Sequence, residues 1–405
     1  MKCRPIQRGL ALFTSLAMTA GMLTLPVLAA GAGTELHKSS ITISDTARFV
    51  NRVSTHSAGR QESFVLEYQP GGSISPVVWS GSVLMGKNTI QAGADALTEQ
   101  GYYVVGGINA DFFSSSSGVP LGMSVENGRL ISSDDGHAAI AFREDGSAFL
   151  SENPGLTFTL TNQGGGDPNT GLGLTTLEDT GEVVVSWNEE TGEKVYPADH
   201  AGQTVSVQHF NKLRQSYYLY LLDERFGATN QATQQGRDVR FRVLSGTVSI
   251  GGTVELEVVS VSEGNTPAKL ETGYLTLTAN AQSPFYDELT KFAVGDKVTL
   301  TVGAADQRLT EAVWAVGGGD ILIQDGAVTD SAGWDASVAN SRNPRTAVGF
   351  KADGTVVLYA IDGRRSSYSN GLTLSDLAQE LLELGCVGAP NMDGGGSTTF
   401  LFREP

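Results

Sequence analysis

TVVLYAIDGRRSSYSNGLTLSDLAQELLELGCVGAPNMDGGGS, residues 355–397, is the stretch whose pattern decides the fold. Thr355 to Ile361 is a near-continuous apolar run, the mark of a strand buried on both faces. It stops abruptly at Asp362-Gly363-Arg364-Arg365. Leu374, Leu377, Ala378, Leu381 and Leu382 then recur at i, i+3, i+4, i+7 and i+8, which predicts a helix with one apolar stripe. Thr373 or Ser375 can cap its start, and Gly385 is placed to end it. A short strand, Cys386 to Ala389, leads into Pro390-Asn391-Met392-Asp393-Gly394-Gly395-Gly396-Ser397. Strand, helix, strand reads as a βαβ unit whose strands run parallel if they share a sheet. The loop with Asp362 and Arg364 and the loop with Asn391 and Asp393 would then open on one edge, where open α/β sheets hold their ligands.

Outward from this stretch the chain reads as short strands with Gly, Asn and Asp punctuation, such as Ser63 to Tyr68, Tyr102 to Val105, Thr253 to Val259 and Lys297 to Val302. The 50 glycines suit a turn-rich, strand-rich protein. Gly164 to Gly173 reads as a flexible loop, and Thr204 to Ala305 as a β-rich section without a chemical motif. The expected fold class is α+β: a strand-rich mixed sheet with few helices, including the C-terminal βαβ unit. Val104 to Asp111 is a fainter echo, a short apolar run that also ends in Asn-x-Asp.

The first residues read as a leader. Lys2, Arg4 and Arg8 precede an apolar stretch from Gly9 to Leu28, which closes on Val27-Leu28-Ala29-Ala30. Small residues at that spacing suit signal peptidase, so residues 1–29 are expected to be a cleaved signal peptide. No other segment reaches about 18 uninterrupted apolar residues, so the mature form is expected to have no membrane span and to be secreted or extracytoplasmic. The formal charge is −17, and loss of the three basic leader residues makes it more negative still. Such acidity argues against nucleic acid or anionic lipid as a partner, since both need Lys and Arg to neutralise phosphates. A single bound phosphate is compatible with it, because a few placed arginines act at short range. Cys3 leaves with the leader and Cys386 stands alone, so the mature chain has no pair for an internal disulfide; Cys386 reads as a buried small hydrophobe.

Four polar clusters end apolar runs: Asn109/Asp111, Asn343/Arg345/Thr346, Asp362/Arg364/Arg365, and Asn391/Asp393 with Gly394, Gly395, Gly396 and Ser397. Three successive glycines let backbone approach a ligand, and their N–H groups can form an anion nest. Arginine presents a fork that matches phosphate oxygens. The carboxylates could activate water, attack an anomeric carbon or ligate a metal. There is no His-Glu-x-x-His, paired Cys-x-x-Cys, Gly-x-Ser-x-Gly elbow or P-loop, and His37, His56, His137, His200 and His209 are scattered.

Taken together these residues resemble the phosphodiester glycosidase family. Gly106 to Phe113 followed by Gly118-Val119-Pro120-Leu121-Gly122 is similar to its opening motif, and Asn343 to Gly349 to its central Pro-Arg-Thr-Ala segment. Asp362-Gly363-Arg364 and Asn391 to Thr399 are similar to its two closing motifs. The likeness runs over residues 101–405, with a β-rich middle of about 154–302 that matches only in character, after an N-terminal β-rich segment over residues 30–100. Asp111 precedes the aromatic pair where the family more often has a small residue. The family usually continues past the point reached at Pro405, which implies an incomplete C-terminal end. The resemblance implies a hydrolase that frees a sugar from a sugar-1-phosphodiester, with a bacterial cell-wall or exopolysaccharide substrate and a place at the cell envelope. It implies Arg345 and Arg364 as a phosphate clamp, aided by Gly394, Gly395, Gly396 and Ser397. Asp362 or Asp393, with Asp111, would act on water or the anomeric carbon, while Asn109 and Asn391 orient them or hold sugar hydroxyls. No cofactor is required on this reading. The alternatives are a phosphodiesterase with a divalent metal on Asp111, Asp362 and Asp393, or a glycan-binding module without turnover. Oligomeric state is not legible.

Overall fold

The computed structural model describes residues 33–57, 59–165, 186, 187, 194, 195 and 200–404; the leader at 1–29 and positions 166–173 of the glycine-rich stretch lie outside them. Strand Val356–Ile361 lies inside an eight-stranded sheet, between Gly59–Tyr68 and Arg345–Lys351. Thr34–Ser44 and Ala47–His56 extend the sheet on one side, and Cys386–Pro390, Ile321–Gln324 and Ala327–Val328 on the other. The N-terminal β-rich segment thus shares a sheet with the end of the chain.

The apolar run is continuous because both faces of this sheet are covered. Val357, Tyr359 and Ile361 pack with Leu374, Leu377, Ala378 and Leu381 of the helix Leu374–Glu383. Val356, with Leu66, Tyr68 and Val348, faces Ile140, Phe142 and Val316 from a five-stranded sheet. That smaller sheet alternates in turn. Ala139 and Ala141 point the other way, into the large core shared with the second eight-stranded sheet, which holds the β-rich middle. The layers are therefore helix, sheet, sheet, sheet.

The C-terminal helix follows its sequence. Thr373 accepts the Asp376 N–H and caps the start, and Gly385, at φ +88°, takes the left-handed turn after the end. Cys386 is buried as expected, and burial pushes its thiol up to about 12.

Strands Val356–Ile361 and Cys386–Pro390 do not pair with each other. Each pairs antiparallel with Arg345–Lys351, so they run the same way with one strand between them. The short turn at Asp353-Gly354, with Gly354 at φ +84°, returns the chain as a hairpin, and a hairpin is antiparallel. Every pairing in this sheet is antiparallel, so the expected mixed character does not lie here. The second large sheet has one short parallel pair, His209–Phe210 with Tyr220–Leu222.

The strand expected over Tyr102 to Val105 is irregular backbone, and the strand is Gly106–Ile108, paired with Phe400–Phe402. Tyr103 is 70% exposed, while Val105 at the end of the run packs against the core. An unforeseen helix, Ile90–Glu99, precedes it, capped by Thr89 and closed near Gly101 at φ +96°. Among the described residues no helix is long and apolar enough to cross a membrane.

Leu381 is fully buried between helix and sheet. Leu381→Ala should lower unfolding free energy by about 3 kcal/mol, and Thr373→Ala by about 1 kcal/mol, both read from urea unfolding midpoints. An equal loss from the two would mean that the helix is held by its cap rather than its stripe.

Candidate functional site

The sheet edge brings the polar clusters together. Arg345 stands opposite Ile361, so the start of the central motif lies beside Asp362. The Met392 N–H donates to Thr346 O at 2.9 Å, and the Asp393 N–H donates to Ala110 O at 2.8 Å. Asn109 closes the junction. Its amide donates to Asp393 O at 2.7 Å, and its side-chain oxygen accepts from the Thr346 hydroxyl at 2.9 Å and the Thr399 N–H at 3.1 Å. The opening, central and last motifs thus meet on one side chain.

Asp111 sits two residues on. Its Oδ2 accepts the Gly122 N–H at 2.8 Å, and Oδ1 is buried with no partner. A Cβ on Gly122 would stand 2.6 Å from Gly317 Cα and 2.9 Å from that Oδ2, and one on Gly317 would meet Gly122 Cα at 2.5 Å. Two glycines therefore form the slot that holds the carboxyl. Burial pushes Asp111 up to about 7; Lys212 and the Gly122 and Phe112 N–H groups pull the other way, and Asp393 adds to the rise.

Asp393 is raised less completely. Burial lifts it, while the Ser397 hydroxyl and the Gly394 N–H stabilise its charge. Asn109, Asp111, Asp393 and Ser397 all line a cavity of ≈ 950 Å³, with aromatic wall from Trp79, Tyr102 and Tyr103.

The remaining expected residues fall elsewhere. Arg345 is 1% exposed, and its guanidinium donates to Leu372 O, Val338 O and Ser341 O at 2.8, 2.8 and 2.6 Å. Burial, then the neighbouring Arg364, lowers it to about 10. As placed, Arg345 ties loops together, and its fork is committed to the protein. Arg364 is exposed, in a left-handed conformation at φ +60°; it donates to Asn343 Oδ1 at 2.8 Å and lies over Gly395, where a Cβ would come within 2.9 Å of Nη2. The nest expected over Gly394 to Gly396 is partly taken up by the loop itself. Gly394 N–H bonds the Asp393 carboxylate, and Gly395 N–H donates to Pro344 O at 2.9 Å.

Asp362 follows the strand end, with its N–H on Glu62 O at 3.0 Å, and does not line the cavity. Asn391 is buried behind the loop, with its N–H on Asp320 O at 2.8 Å and its side-chain oxygen unpartnered. Among the described residues no three His, Cys, Asp or Glu side chains group closely enough to hold a metal, so Asp111, Asp362 and Asp393 are not assembled as a ligand set. Sequence reasoning passed over Lys212, in the β-rich middle. It is buried close enough to Asp111 for their charges to interact, and a single lysine between strands gave no periodic signal.

Residues 254–404 match the family model NAGPA, described as Phosphodiester glycosidase. That span holds the central and the two closing motifs; the opening motif lies upstream. The family resemblance read in the sequence is thereby supported. Over 120 residues the chain is 31% identical to N-acetylglucosamine-1-phosphodiester alpha-N-acetylglucosaminidase of Mus musculus, which covers 28% of this chain and 23% of that protein. A 59-residue stretch is 44% identical to an SPbeta prophage-derived uncharacterized protein of Bacillus subtilis (strain 168), covering 15% of this chain and 9% of that one. The chain thus spans under a quarter of the length of the curated relatives it matches. A solved structure of a hypothetical protein from Synechocystis shares the fold at TM-score 0.66 and 18% identity, covering 90% of this chain and 59% of that one.

Two outcomes follow from the junction and the slot. Asn109→Ala leaves Thr346, Thr399 and Asp393 without their shared partner and should lower unfolding free energy by about 2 kcal/mol, measured by chemical denaturation. Because Asp111 is raised in the fold, the native state holds a proton that the unfolded chain releases between its ordinary value and about 7. Its contribution therefore favours the fold at low pH and is lost as pH rises through about 7, so Asp111→Asn should flatten that part of the stability–pH curve. An unchanged slope would place the carboxyl in contact with water.

Proposed function

We propose that this chain is a hydrolase that cleaves the glycosidic C–O bond of a sugar-1-phosphodiester, with the phosphate as leaving group. The observation that carries this reading is the pair Asp111 and Asp393 on one cavity wall, held by a shared junction but in unlike surroundings. Two carboxyls whose environments separate their protonation can divide the roles of acid and base. Asp111 is half-buried with its Oδ1 enclosed, and its raised titration favours the protonated form. Asp393, beside the Ser397 hydroxyl and the Gly394 N–H, is the better base.

In the proposed step Asp393 accepts a proton from water as the water oxygen bonds to the anomeric carbon. The bond from that carbon to the phosphate oxygen breaks, and its electron pair leaves on the phosphate. Asp111 supplies a proton to the departing oxygen. A phosphate monoester already leaves well, so neutralisation of its charge matters as much as protonation. Arg364, exposed over Gly395, is the arginine left available for it, while Arg345 holds the surrounding loops. Asn109 fixes the backbone that carries Asp393 and is in this reading a positioning residue, not a sugar ligand. The leader read in residues 1–29 supports an exported enzyme, and cell-wall or exopolysaccharide phosphodiesters are the proposed substrates.

Hydrolysis of a sugar-1-phosphodiester such as UDP-N-acetylglucosamine in heavy-oxygen water tests the bond cleaved. Label on the sugar is expected; label on phosphate would mean attack at phosphorus and would overturn the glycosidase reading. Asp393→Asn and Asp111→Asn should each lower kcat about 10³-fold while keeping the fold. The wild-type rate should fall as pH rises through about 7, because Asp111 then loses the proton it donates.

A further inference from the structure

Lys212 is buried, 6% exposed, in the connection just after strand His209–Phe210, far along the chain from every motif. Its ammonium donates to three backbone carbonyls, Pro120 O, Leu121 O and Gly122 O, at 2.8, 2.7 and 2.7 Å. An ammonium has three donors, so these bonds saturate it. No carboxylate takes one of them. The last of the three carbonyls belongs to Gly122, whose N–H holds Asp111 Oδ2 at 2.8 Å. One glycine residue thus faces the lysine through its carbonyl and the aspartate through its amide.

Lys212 is itself held in place. Asn211, at φ +53°, donates to Ile131 O at 2.9 Å and to Asp223 Oδ1 at 2.7 Å, and Asp223 pairs with Arg129 at 2.6 Å. The titratable groups around Lys212 are Asp111, Asp134, Asp135 and His209, and those around Asp111 are Lys212 and Asp393. Burying an ammonium carries a desolvation penalty of several kcal/mol, and an apolar side chain of similar size is often as stable in such a place. The lysine wraps the loop that grips one carboxyl, so its bonds and its charge both act on that carboxyl.

We propose that Lys212 is the positioning residue for Asp111: its three bonds fix the Pro120–Gly122 loop whose Gly122 N–H orients the carboxyl, and its ammonium places a positive charge behind that loop. This rests on the reading of Asp111 as the acid. The loop and the charge act together, so a substitution that removes the charge must move the titration of Asp111 as well as the rate.

The test uses the full chain with Lys212→Met and Lys212→Gln, the second keeping hydrogen-bond donors for the loop if the first does not fold. Two quantities are measured: the pH–rate profile on a sugar-1-phosphodiester, and the titration of the Asp111 carboxyl by carbon NMR, assigned with Asp111→Asn. Loss of the charge should raise the Asp111 midpoint by about one pH unit, and the alkaline limb of the rate should move up with it. kcat should fall about tenfold with KM unchanged, since orientation and not binding is lost. A midpoint that stays put in either folded variant overturns the proposal. A midpoint that moves while the rate profile does not supports Lys212 as positioning residue and removes Asp111 from the role of acid.

Discussion

The side chain of Asn109 is the interaction on which the site depends. It donates to Asp393 O and accepts from Thr346 and Thr399, so segments from three distant parts of the chain share one amide. Each partner is a group that would otherwise sit at a partly dry junction, and an unmet donor or acceptor there costs about 1–3 kcal/mol. An ionised aspartate could accept but not donate, and an alanine could do neither. The amide satisfies both directions at once, which fixes where the loop bearing Asp393 starts relative to Asp111.

Burial then differentiates groups that the sequence presents as equals. Arg345 and Arg364 both follow a polar motif, yet one lies inside with its fork on three carbonyls and the other lies outside over Gly395. A buried guanidinium must find partners, and backbone carbonyls at loop ends are the acceptors within reach. The same rule separates the carboxyls. Asp111 enters a slot made by two glycines and is pushed up to about 7, whereas Asp362 stays at the sheet edge away from the cavity. Neutralising a carboxyl costs less than burying its charge, so depth in the fold sets chemical role.

The layering explains why the edge can be so polar. Three sheets and a helix bury nearly every side chain of the central strands, so order at the edge is inherited from a rigid stack rather than supplied by the loops. The Gly394–Ser397 loop is correspondingly tied on both sides, by Asp393 N–H to Ala110 O before it and by Thr399 N–H to Asn109 Oδ1 after it.

Much of this was legible in the chain alone, for identifiable reasons. The stripe of Leu374, Leu377, Ala378 and Leu381 and the run ending at Ile361 are local patterns, and local patterns report helices, strands and the loops that end them. The cluster at Asn391 and Asp393 was equally visible, because three successive glycines after a buried strand exceed what a plain turn needs. Strand order was not. The antiparallel strand Arg345–Lys351 enters between the two strands of the βαβ reading, since pairing joins residues far apart in the chain and periodicity carries no information about partners. For the same reason the amino acid sequence determined which residues could do chemistry, and only the tertiary structure decided which of them share a cavity, which became scaffold, and that a lone lysine at position 212 stands behind Asp111.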